Sequence, residues 1–362
     1  MAELTIAYVG LGSNLGDKAA FIRSALKMLA ETEQVEVARV SDLIETAPLS
    51  GDNQPDYLNA VAEIKTTSTA EDLHKKLADI EISLGRVRRK KWSPRIIDLD
   101  LLLFGSDVIN TSNLTVPHPQ MHLRSFVLSG LCRLNPELPH PVIKEPVREL
   151  AARLGGADFV LDHKRPQLVS IAGIIGVGKT TLAGKLAKAL SSRILLEPYD
   201  KNPFLPDVYA GKKELALDSQ LYFLNSRIEQ LNLQALPTGQ TAVSDYIFDK
   251  ELIYARRLLN PQQLTSYEKS YQPAGAKVAA PVLVIYLRDS AKKCLDRIHT
   301  RNRPYEQAIG PQFLEKLGAD YERLFTDWKL CPVIRISMSD FDCTQNGDIN
   351  HLANQIKSYV AI

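Results

Sequence analysis

The chain has 362 residues, a length that predicts about two domains. Hydrophobic residues make up 45% and charged residues 24%, and 44 basic against 42 acidic residues leave a net charge of +2, which argues against bulk nucleic-acid binding. The four cysteines are far apart, the start does not resemble a signal peptide and no apolar run approaches the length of a membrane span. We therefore expect a cytoplasmic protein that binds neither nucleic acid nor membrane.

The first part of the chain predicts alternating short strands and helices. The segments TIAYVGLGSN and NAVAEIKTT alternate apolar and polar residues, which is typical of strands. The segment TAEDLHKKLADIEISLG has helical periodicity, and Thr69 is placed to cap the start of that helix. A mixed α and β domain is expected here.

The next predicted strand, residues 96–104, carries two acids. Side chains alternate along a strand, so Asp98 and Asp100 share one face while Leu99 and Leu101 share the other. Two adjacent carboxylates repel each other and resist burial. The pattern fits either a half-exposed strand with solvated acids or a pair of carboxylates that binds Mg²⁺. The many apolar neighbours favour the Mg²⁺ site.

Basic and aromatic residues surround this strand in the sequence. Arg86, Arg88 and Arg95 precede the acids, where a triphosphate would need cations, although a solvated basic loop is the alternative. Tyr57 and Phe126 could sandwich a flat heterocycle, although each alone is more often a packing residue. Together these residues favour an ATP site beside a heterocycle site.

Four segments in order resemble the 6-hydroxymethyl-7,8-dihydropterin pyrophosphokinase family: AYVGLGSNLGD, APLSGDNQPDYLNAV, GRVRRKKWSPRIIDLDLLLFG and LTVPHPQMHLRSFVL. The resemblance covers residues 4–160. It implies a ferredoxin-like α+β fold and transfer of a pyrophosphoryl group from ATP to the pterin hydroxymethyl, with release of AMP. It also implies two Mg²⁺ ions held by Asp98 and Asp100.

The same resemblance implies which residues contact each substrate. The pterin site maps to Thr46, Pro48, Leu49, Tyr57, Asn59, Trp92 and Phe126. The ATP contacts map to Glu81, Arg86, Arg88, Trp92, Arg95, Ile109, Thr115, His118 and Arg124. Arg86 and Arg95 are the residues expected to act in catalysis.

The sequence predicts a domain boundary near residue 165. Prolines cluster around residues 135–146, and LDHKRPQ reads as a polar linker. The expected domains are residues 1–162 and 168–362, joined by residues 163–167.

The segment IAGIIGVGKTTLAGKL follows the linker and has the G-x-x-x-x-G-K-[ST] spacing of a phosphate-binding loop. A predicted strand over residues 168–171 precedes it and an amphipathic helix follows, whereas a Gly-rich turn is the alternative. Lys179 can reach the outer phosphates of ATP, and Thr180 can ligate Mg²⁺. The expected ATP contacts are Gly173, Gly176, Gly178, Lys179, Thr180 and Thr181.

Further strands and helices alternate after this loop. RILLEPYD predicts a second buried strand that ends at Glu197, and TAVSDYIFD a third that ends with Asp245. VLVIYL and PVIRISM predict two more strands, and residues 219–236 a helix. This order predicts an α/β P-loop kinase domain with a parallel sheet flanked by helices.

Three arginines close together predict a lid. Arg297, Arg301 and Arg303 lie within seven positions, after a predicted strand and helix. The planar guanidinium groups of arginines can bind phosphate oxygens while a phosphoryl group is transferred. The alternative interpretation is that these arginines form the solvent-exposed face of a helix.

Residues 168–345 resemble the deoxynucleoside kinase family. The resemblance rests on the phosphate loop, the EP pair after the second strand, SQLYFLNSRIEQL and RIHTRNRPYEQAIGPQFLEKL. It implies that ATP phosphorylates the 5′-hydroxyl of a deoxynucleoside, with ADP released and one Mg²⁺ at Thr180. It also implies a homodimer through this domain.

The family resemblance assigns roles to individual residues of this second part. Glu197 is the expected general base, and Lys179, Arg301 and Arg303 are expected to act on the phosphates. The expected nucleoside contacts are Glu197, Gln220, Arg227, Asp245 and Glu306.

One position departs from the family pattern. An arginine usually follows the acid at the end of the third strand, whereas here Tyr246 follows Asp245, and a lid or loop arginine is expected to substitute. The sequence thus predicts a bifunctional ATP-dependent transferase whose preferred deoxynucleoside is left open. The alternatives for the second part are another small-molecule or nucleoside monophosphate kinase, or a catalytically weak, nucleotide-binding regulatory domain.

Overall fold

The computed structural model describes residues 4–49, 54–86 and 93–361. The chain divides into two compact units, Met1–Val160 and Leu161–Ile362. Arg88 and Trp92, which the sequence assigns to the ATP and pterin sites, lie outside the described residues. None of the helices in the described ranges combines the length and the hydrophobicity that a membrane span requires.

The first unit is built from an antiparallel sheet and α-helices. Its strands are β1 (Thr5–Ser13), β2 (Val35–Val40), β3 (Ile44–Thr46), β4 (Tyr57–Thr66), β5 (Asp98–Phe104), β6 (Ile109–Asn110) and β7 (Thr115–Val116). Its helices are α1 (Lys18–Ala30), α2 (Ala70–Ser83), α3 (Ser125–Leu134) and α4 (Val147–Leu154), with a 3₁₀ turn at Met121–Leu123.

The main sheet has the order β2-β4-β1-β5, and β3 extends it by pairing with β4. Helices α1 and α2 cover one face, where the core includes Val9, Ile64 and Leu73. The predicted cap of α2 is confirmed, since the Thr69 side chain accepts a hydrogen bond from the amide of Asp72. The α+β prediction for this unit is therefore confirmed.

The other face of this sheet is covered only in part. Helices α3 and α4 pack there against Tyr8, Val61 and Leu102. Because side chains alternate along β1, Gly10 and Gly12 lie on this same face, beyond the part that the helices cover. The uncovered part is where the first site lies.

The second unit is built from a parallel sheet and helices. Its strands are β8 (Gln167–Ala172), β9 (Arg193–Leu195), β10 (Thr241–Ser244), β11 (Leu283–Arg288) and β12 (Val333–Ser337). Its helices are α5 (Lys179–Ala189), α6 (Leu205–Tyr209), α7 (Ala216–Leu231), α8 (Lys250–Leu258), α9 (Pro261–Gly275), α10 (Ala291–Arg301), α11 (Pro311–Thr326) and α12 (Asn346–Lys357). Short 3₁₀ turns lie at Tyr199–Lys201, Lys213–Leu215 and Pro304–Glu306.

The strand order is β12-β11-β8-β10-β9, and neighbouring strands are parallel. The central strand β8 is buried throughout, as a parallel strand covered on both faces should be. The predicted α/β class with a parallel sheet flanked by helices is confirmed.

Two predicted elements of this unit have different bounds or burial. The strand expected to be buried and to end at Glu197 instead ends at Leu195, and Arg193 and Ile194 are exposed because β9 is an edge strand. The helix expected over residues 219–236 is α7, which ends before Asn232. The Asn232 side chain accepts a hydrogen bond from the amide of Gln234, a local bond that competes with helix continuation.

Candidate active sites

The first site is a cavity of about 420 Å³ on the uncovered sheet face. Strand register places its polar residues in a row across that face, because Thr46 pairs with Tyr57 and Gly12 pairs with both Asn59 and Asp98. The predicted residues that line the cavity are Thr46, Pro48, Leu49, Tyr57, Asn59, Arg86, Arg95, Asp98, Asp100, His118, Arg124 and Phe126. Thus the aromatic pair and the acid pair expected from the sequence border one space.

Two glycines form the middle of the cavity floor. A Cβ atom on Gly12 would lie 3.0 Å from the Asn59 Oδ1 atom, and one on Gly10 would lie 3.4 Å from a methyl of Leu102. The Asn59 amide donates to the Thr46 hydroxyl at 2.9 Å, so its side chain is already held in place. Sequence reasoning missed both glycines, although their alternation within a predicted strand was the available signal.

The two acids at the cavity edge have different surroundings. Asp98 pairs with Arg86 at 2.5 Å and with Arg95 at 2.7 Å. Asp100 is open to the cavity, yet desolvation by the surrounding walls raises its pKa, and the charge of Asp98 raises it further. A cation that neutralises both carboxylates would relieve this repulsion.

Glu81 lies behind these acids and is buried. One of its carboxylate oxygens accepts a hydrogen bond from the Leu99 amide at 2.7 Å and also pairs with Arg86. Burial raises the pKa of Glu81 to about 7. The structure therefore joins Glu81 to strand β5 and to Arg86, away from the described cavity lining.

Two other predicted ATP contacts also lie away from that lining. Ile109 and Thr115 belong to the small ribbon of β6 and β7, and neither is among the described residues around the cavity. Their assignment to ATP stays a prediction.

Asn14 organises the segments on both sides of the site. Its side-chain oxygen accepts from the Arg95 amide at 2.8 Å, and its backbone amide donates to the Arg95 carbonyl at 3.1 Å. Its side-chain nitrogen donates to Gln54 and to the Pro55 carbonyl. The one sequence feature that could have indicated this role is the position of Asn14 at the end of a predicted strand.

The second site begins at the phosphate-binding loop. Gly173, Gly176 and Gly178 have positive φ angles of 140°, 81° and 107°, which favour glycine, and Gly178 precedes helix α5. The Lys179 ammonium donates to the carbonyls of Gly173 and Ile174, both at 2.9 Å. Desolvation and nearby positive charge lower the pKa of Lys179 to about 8.

A cavity of about 90 Å³ adjoins this loop, and all five predicted nucleoside contacts line it. The predicted residues that line it are Gly176, Lys179, Thr180, Glu197, Gln220, Arg227, Asp245, Arg301, Arg303 and Glu306. Thr181 is exposed on α5 and is not among the described lining residues. The contacts proposed for Gly173, Gly178 and Thr181 with ATP stay predictions.

Asp245 connects the loop to the end of the second strand. The Thr180 hydroxyl donates to one Asp245 oxygen at 2.6 Å, and the Glu197 amide donates to the other at 2.9 Å. Asp245 therefore fixes the distance between the phosphate loop and the expected general base.

Glu197 is held by two cations. One carboxylate oxygen pairs with Arg227, and the other pairs with the Lys250 ammonium at 2.5 Å. Burial by itself would raise the pKa of Glu197, but Lys250 and Arg227 outweigh that effect and lower it to about 2. The carboxylate is thus ionised at any pH near neutrality.

Behind Glu197 the network of charges continues into the core. Arg227 and Glu251 are each 1% exposed and form an ion pair, and the Tyr267 hydroxyl donates to Glu251. The Arg227 guanidinium also lies over the rings of Phe223 and Tyr246, about 5 Å from their centres. Sequence reasoning assigned Arg227 but missed Lys250, Glu251 and Tyr267, which carry no recognisable spacing.

The three lid arginines have partners other than Glu197. Arg297 on α10 pairs with Asp289 at 2.6 Å and donates to the Gly176 carbonyl at 3.4 Å. Glu306 pairs with both Arg301 and Arg303. The replacement of the arginine missing after Asp245 by a lid or loop arginine stays a prediction; the contacts of Glu197 are with Lys250 and Arg227.

Two family models match the chain. The model described as 7,8-dihydro-6-hydroxymethylpterin-pyrophosphokinase matches residues 8–136, and the model described as deoxynucleoside kinase matches residues 169–361.

Individual relatives match the same two regions. The chain is 43% identical over 129 residues to the 2-amino-4-hydroxy-6-hydroxymethyldihydropteridine pyrophosphokinase of Bacillus subtilis, with 36% of this chain and 77% of that protein covered. It is 36% identical over 146 residues to the enzyme of the same name from Aquifex aeolicus, with 40% and 90% covered. A solved structure of deoxyadenosine kinase from M. mycoides, with dCMP and dCDP bound, is 25% identical and has a TM-score of 0.45. The similarity covers 53% of this chain and 99% of that one.

Proposed function

Because the chain belongs to the 7,8-dihydro-6-hydroxymethylpterin-pyrophosphokinase family in its first unit and to the deoxynucleoside kinase family in its second, we propose that it catalyses two ATP-dependent transfers. The first moves a pyrophosphoryl group from ATP to 6-hydroxymethyl-7,8-dihydropterin and releases AMP. The second phosphorylates the 5′-hydroxyl of a deoxynucleoside and releases ADP. The homodimer expected through the second unit stays a prediction.

The proposal of the first activity is supported mainly by the row of polar residues that crosses one face of the first sheet. Tyr57 and Asn59 lie at one end of the row, where a planar heterocycle can stack and form hydrogen bonds. Asp98 and Asp100 lie at the other end, next to Arg86. A pterin on the glycine floor would therefore direct its hydroxymethyl toward the segment that binds the phosphates.

The acid pair fits Mg²⁺. Carboxylate oxygens on adjacent same-face positions are hard donors, and Asp100 is open to the cavity. Among the described residues, no group of three or more His, Cys, Asp or Glu side chains could hold a metal ion. A Mg²⁺ ion at Asp98 and Asp100 would complete its coordination with phosphate oxygens and water, and when bound it would polarise the phosphorus under attack.

The second activity depends on the position of Glu197. It lies in one cavity with Lys179 of the phosphate loop and with the buried carboxamide of Gln220, which suits recognition of a base. An ionised Glu197 can orient the sugar hydroxyl and accept its proton as the new bond to phosphorus forms. Lys179 and Arg301 would bind the phosphates, and the hydroxyl of Thr180 would bind one Mg²⁺.

The charges around Glu197 favour a neutral substrate over a monophosphate. Arg227 is already shared between Glu197 and Glu251, and Lys250 is paired with Glu197. These cations are therefore neutralised, whereas a substrate phosphate would need unpaired positive charge. This supports a deoxynucleoside rather than a nucleoside monophosphate.

Product analysis with the full chain tests both activities. ATP with the pterin should give AMP, and ATP with at least one of the four deoxynucleosides should give ADP. Substitution of Lys179 by Met should remove the ADP-forming activity and spare the AMP-forming activity, because it alters only the phosphate loop. Absence of ADP formation with all four deoxynucleosides would contradict the second activity and favour a regulatory domain.

A further inference from the structure

Lys250 is the first residue of α8, and its ammonium lies against the expected general base. The side chain is buried, with 5% of the residue exposed, and its Nζ atom lies 2.5 Å from the Glu197 Oε2 atom. Within the described part of the chain, this ammonium also lies over the ring of Tyr254, 5.1 Å from the ring centre. Its position therefore depends chiefly on Glu197.

Burial of this lysine is costly for the fold. Desolvation disfavours the charged form, and the nearby Arg227 repels it, so the pKa of Lys250 is lowered. An apolar side chain would avoid this cost but would leave Glu197 Oε2 without its cation. The ion pair with Glu197 offsets the free-energy cost of burying the charged ammonium.

The two cations hold the carboxylate at both oxygens. Arg227 contacts Oε1, while Lys250 contacts Oε2, and the backbone amide of Glu197 is fixed by Asp245. Arg227 also pairs with Glu251. Arg227 alone would therefore restrict rotation of the Glu197 carboxylate less than Arg227 and Lys250 do together. Other titratable groups around Glu197 come from the neighbouring elements: Lys179, Tyr209, Tyr246, Tyr254 and Tyr321.

We infer that Lys250 is a positioning residue for phosphoryl transfer in the second unit, holding Glu197 Oε2 so that the carboxylate faces the substrate hydroxyl. The inference rests on the proposed function of this unit. Tyr246 occupies the position directly after Asp245, and its hydroxyl donates to Gln230 rather than to Glu197. Lys250, at the start of α8, contacts Glu197 directly.

A double-mutant cycle on the full chain tests this role. Lys250→Met is compared with the parent chain and then introduced into Glu197→Gln, and kcat for ADP formation is measured with each deoxynucleoside that the parent uses. We expect a loss on the order of 100-fold in the parent, because a misplaced base loses its alignment. We expect a loss of less than about 3-fold in Glu197→Gln, because residues that act as one unit are not additive.

Two controls keep the result interpretable. The double-mutant cycle is repeated with Lys250→Gln, and the same changes in kcat are expected. This second variant allows the test even if Lys250→Met does not fold. Lys269→Met alters an exposed lysine on α9 and should leave kcat unchanged. Hydrogen exchange of the β8 and β10 peptides reports whether each variant is folded.

The outcomes separate the inference from the proposed function. An equal loss of kcat in both backgrounds, or no loss in the parent, would overturn the positioning role while the kinase activity stands. If the parent chain phosphorylates none of the four deoxynucleosides, the proposed function fails and the inference fails with it.

Discussion

The two sites surround their carboxylates with cations in different ways. In the first unit, Asp98 borders a cavity of about 420 Å³ and pairs with Arg86 and Arg95, whose side chains are each 22% exposed. In the second unit, Glu197 borders a cavity of about 90 Å³ and pairs with Lys250 and Arg227, whose side chains are 7% and 1% exposed.

This difference in exposure has a physical consequence. A partly solvated ion pair is screened by water, so its members can exchange partners at small cost. A buried pair cannot, because loss of one partner leaves an uncompensated charge in a medium of low dielectric constant. The Asp98 carboxylate can therefore exchange its cationic partners more readily than Glu197, which is held by two buried partners.

The largest expected effect is at the acid pair. Asp100→Asn removes a carboxylate oxygen that a cation would need, and AMP formation should fall about 1,000-fold or more, since metal stabilisation of the transition state is worth several kcal/mol. ADP formation should not change. Initial rates of both products measure this, with Asp107→Asn as the exposed control. Survival of AMP formation would show that the first site does not depend on this acid.

The next effect is on stability. Arg227→Met leaves Glu197 and Glu251 buried without their shared partner, so the free energy of unfolding of the second unit should fall by about 3–5 kcal/mol. Arg95→Met should cost the first unit about 1 kcal/mol or less. Hydrogen exchange of β8 and β4 peptides under rising denaturant compares the two. Similar losses in both units would break the contrast between buried and solvated pairs.

Glu197→Gln should reduce kcat for ADP formation about 100-fold or more, which is the usual contribution of a general base. AMP formation should stay at the parent rate, because the substitution lies in the other unit. Glu229→Gln on the exposed face of α7 is the matched control. An unchanged kcat would assign proton removal to another group.

The smallest expected effect concerns the glycine floor of the first cavity. Gly12→Ala places a methyl 3.0 Å from Asn59 Oδ1 and should displace that amide, raising KM for the pterin about 10-fold, the worth of roughly one hydrogen bond. Gly10→Ala meets only the flexible end of Leu102 at 3.4 Å and should have a smaller effect. If the two variants raise KM equally, the Asn59 contact is not what sets pterin affinity.

Features set by neighbouring residues were predictable from the sequence. The common face of Asp98 and Asp100 follows from strand alternation, and the cap at Thr69 follows from the preference of a helix start for a side-chain acceptor. The phosphate loop was predictable because its glycines must adopt positive φ angles within a few residues of Lys179. Both family assignments, which rest on such segments, are confirmed.

Features that depend on distant contacts were not predictable. Nothing in the sequence around Asn14 indicates that it binds the backbone of Arg95, 81 positions later. The exposure of β9 follows from its place at the sheet edge, which the apolar run RILL does not reveal.

The sequence by itself determined two domains, their fold classes and the two segments expected to bind phosphate, because each depends on periodicity or spacing over short stretches of chain. The partners of the charged side chains in their ion pairs were decided only by the tertiary structure. Glu197 pairs with Arg227 and Lys250, which are 30 and 53 positions away, and the lid arginines pair with Glu306 and Asp289 instead. The energy of an ion pair depends on separation in space and on burial, and both are fixed only when α7, α8 and the parallel sheet pack together.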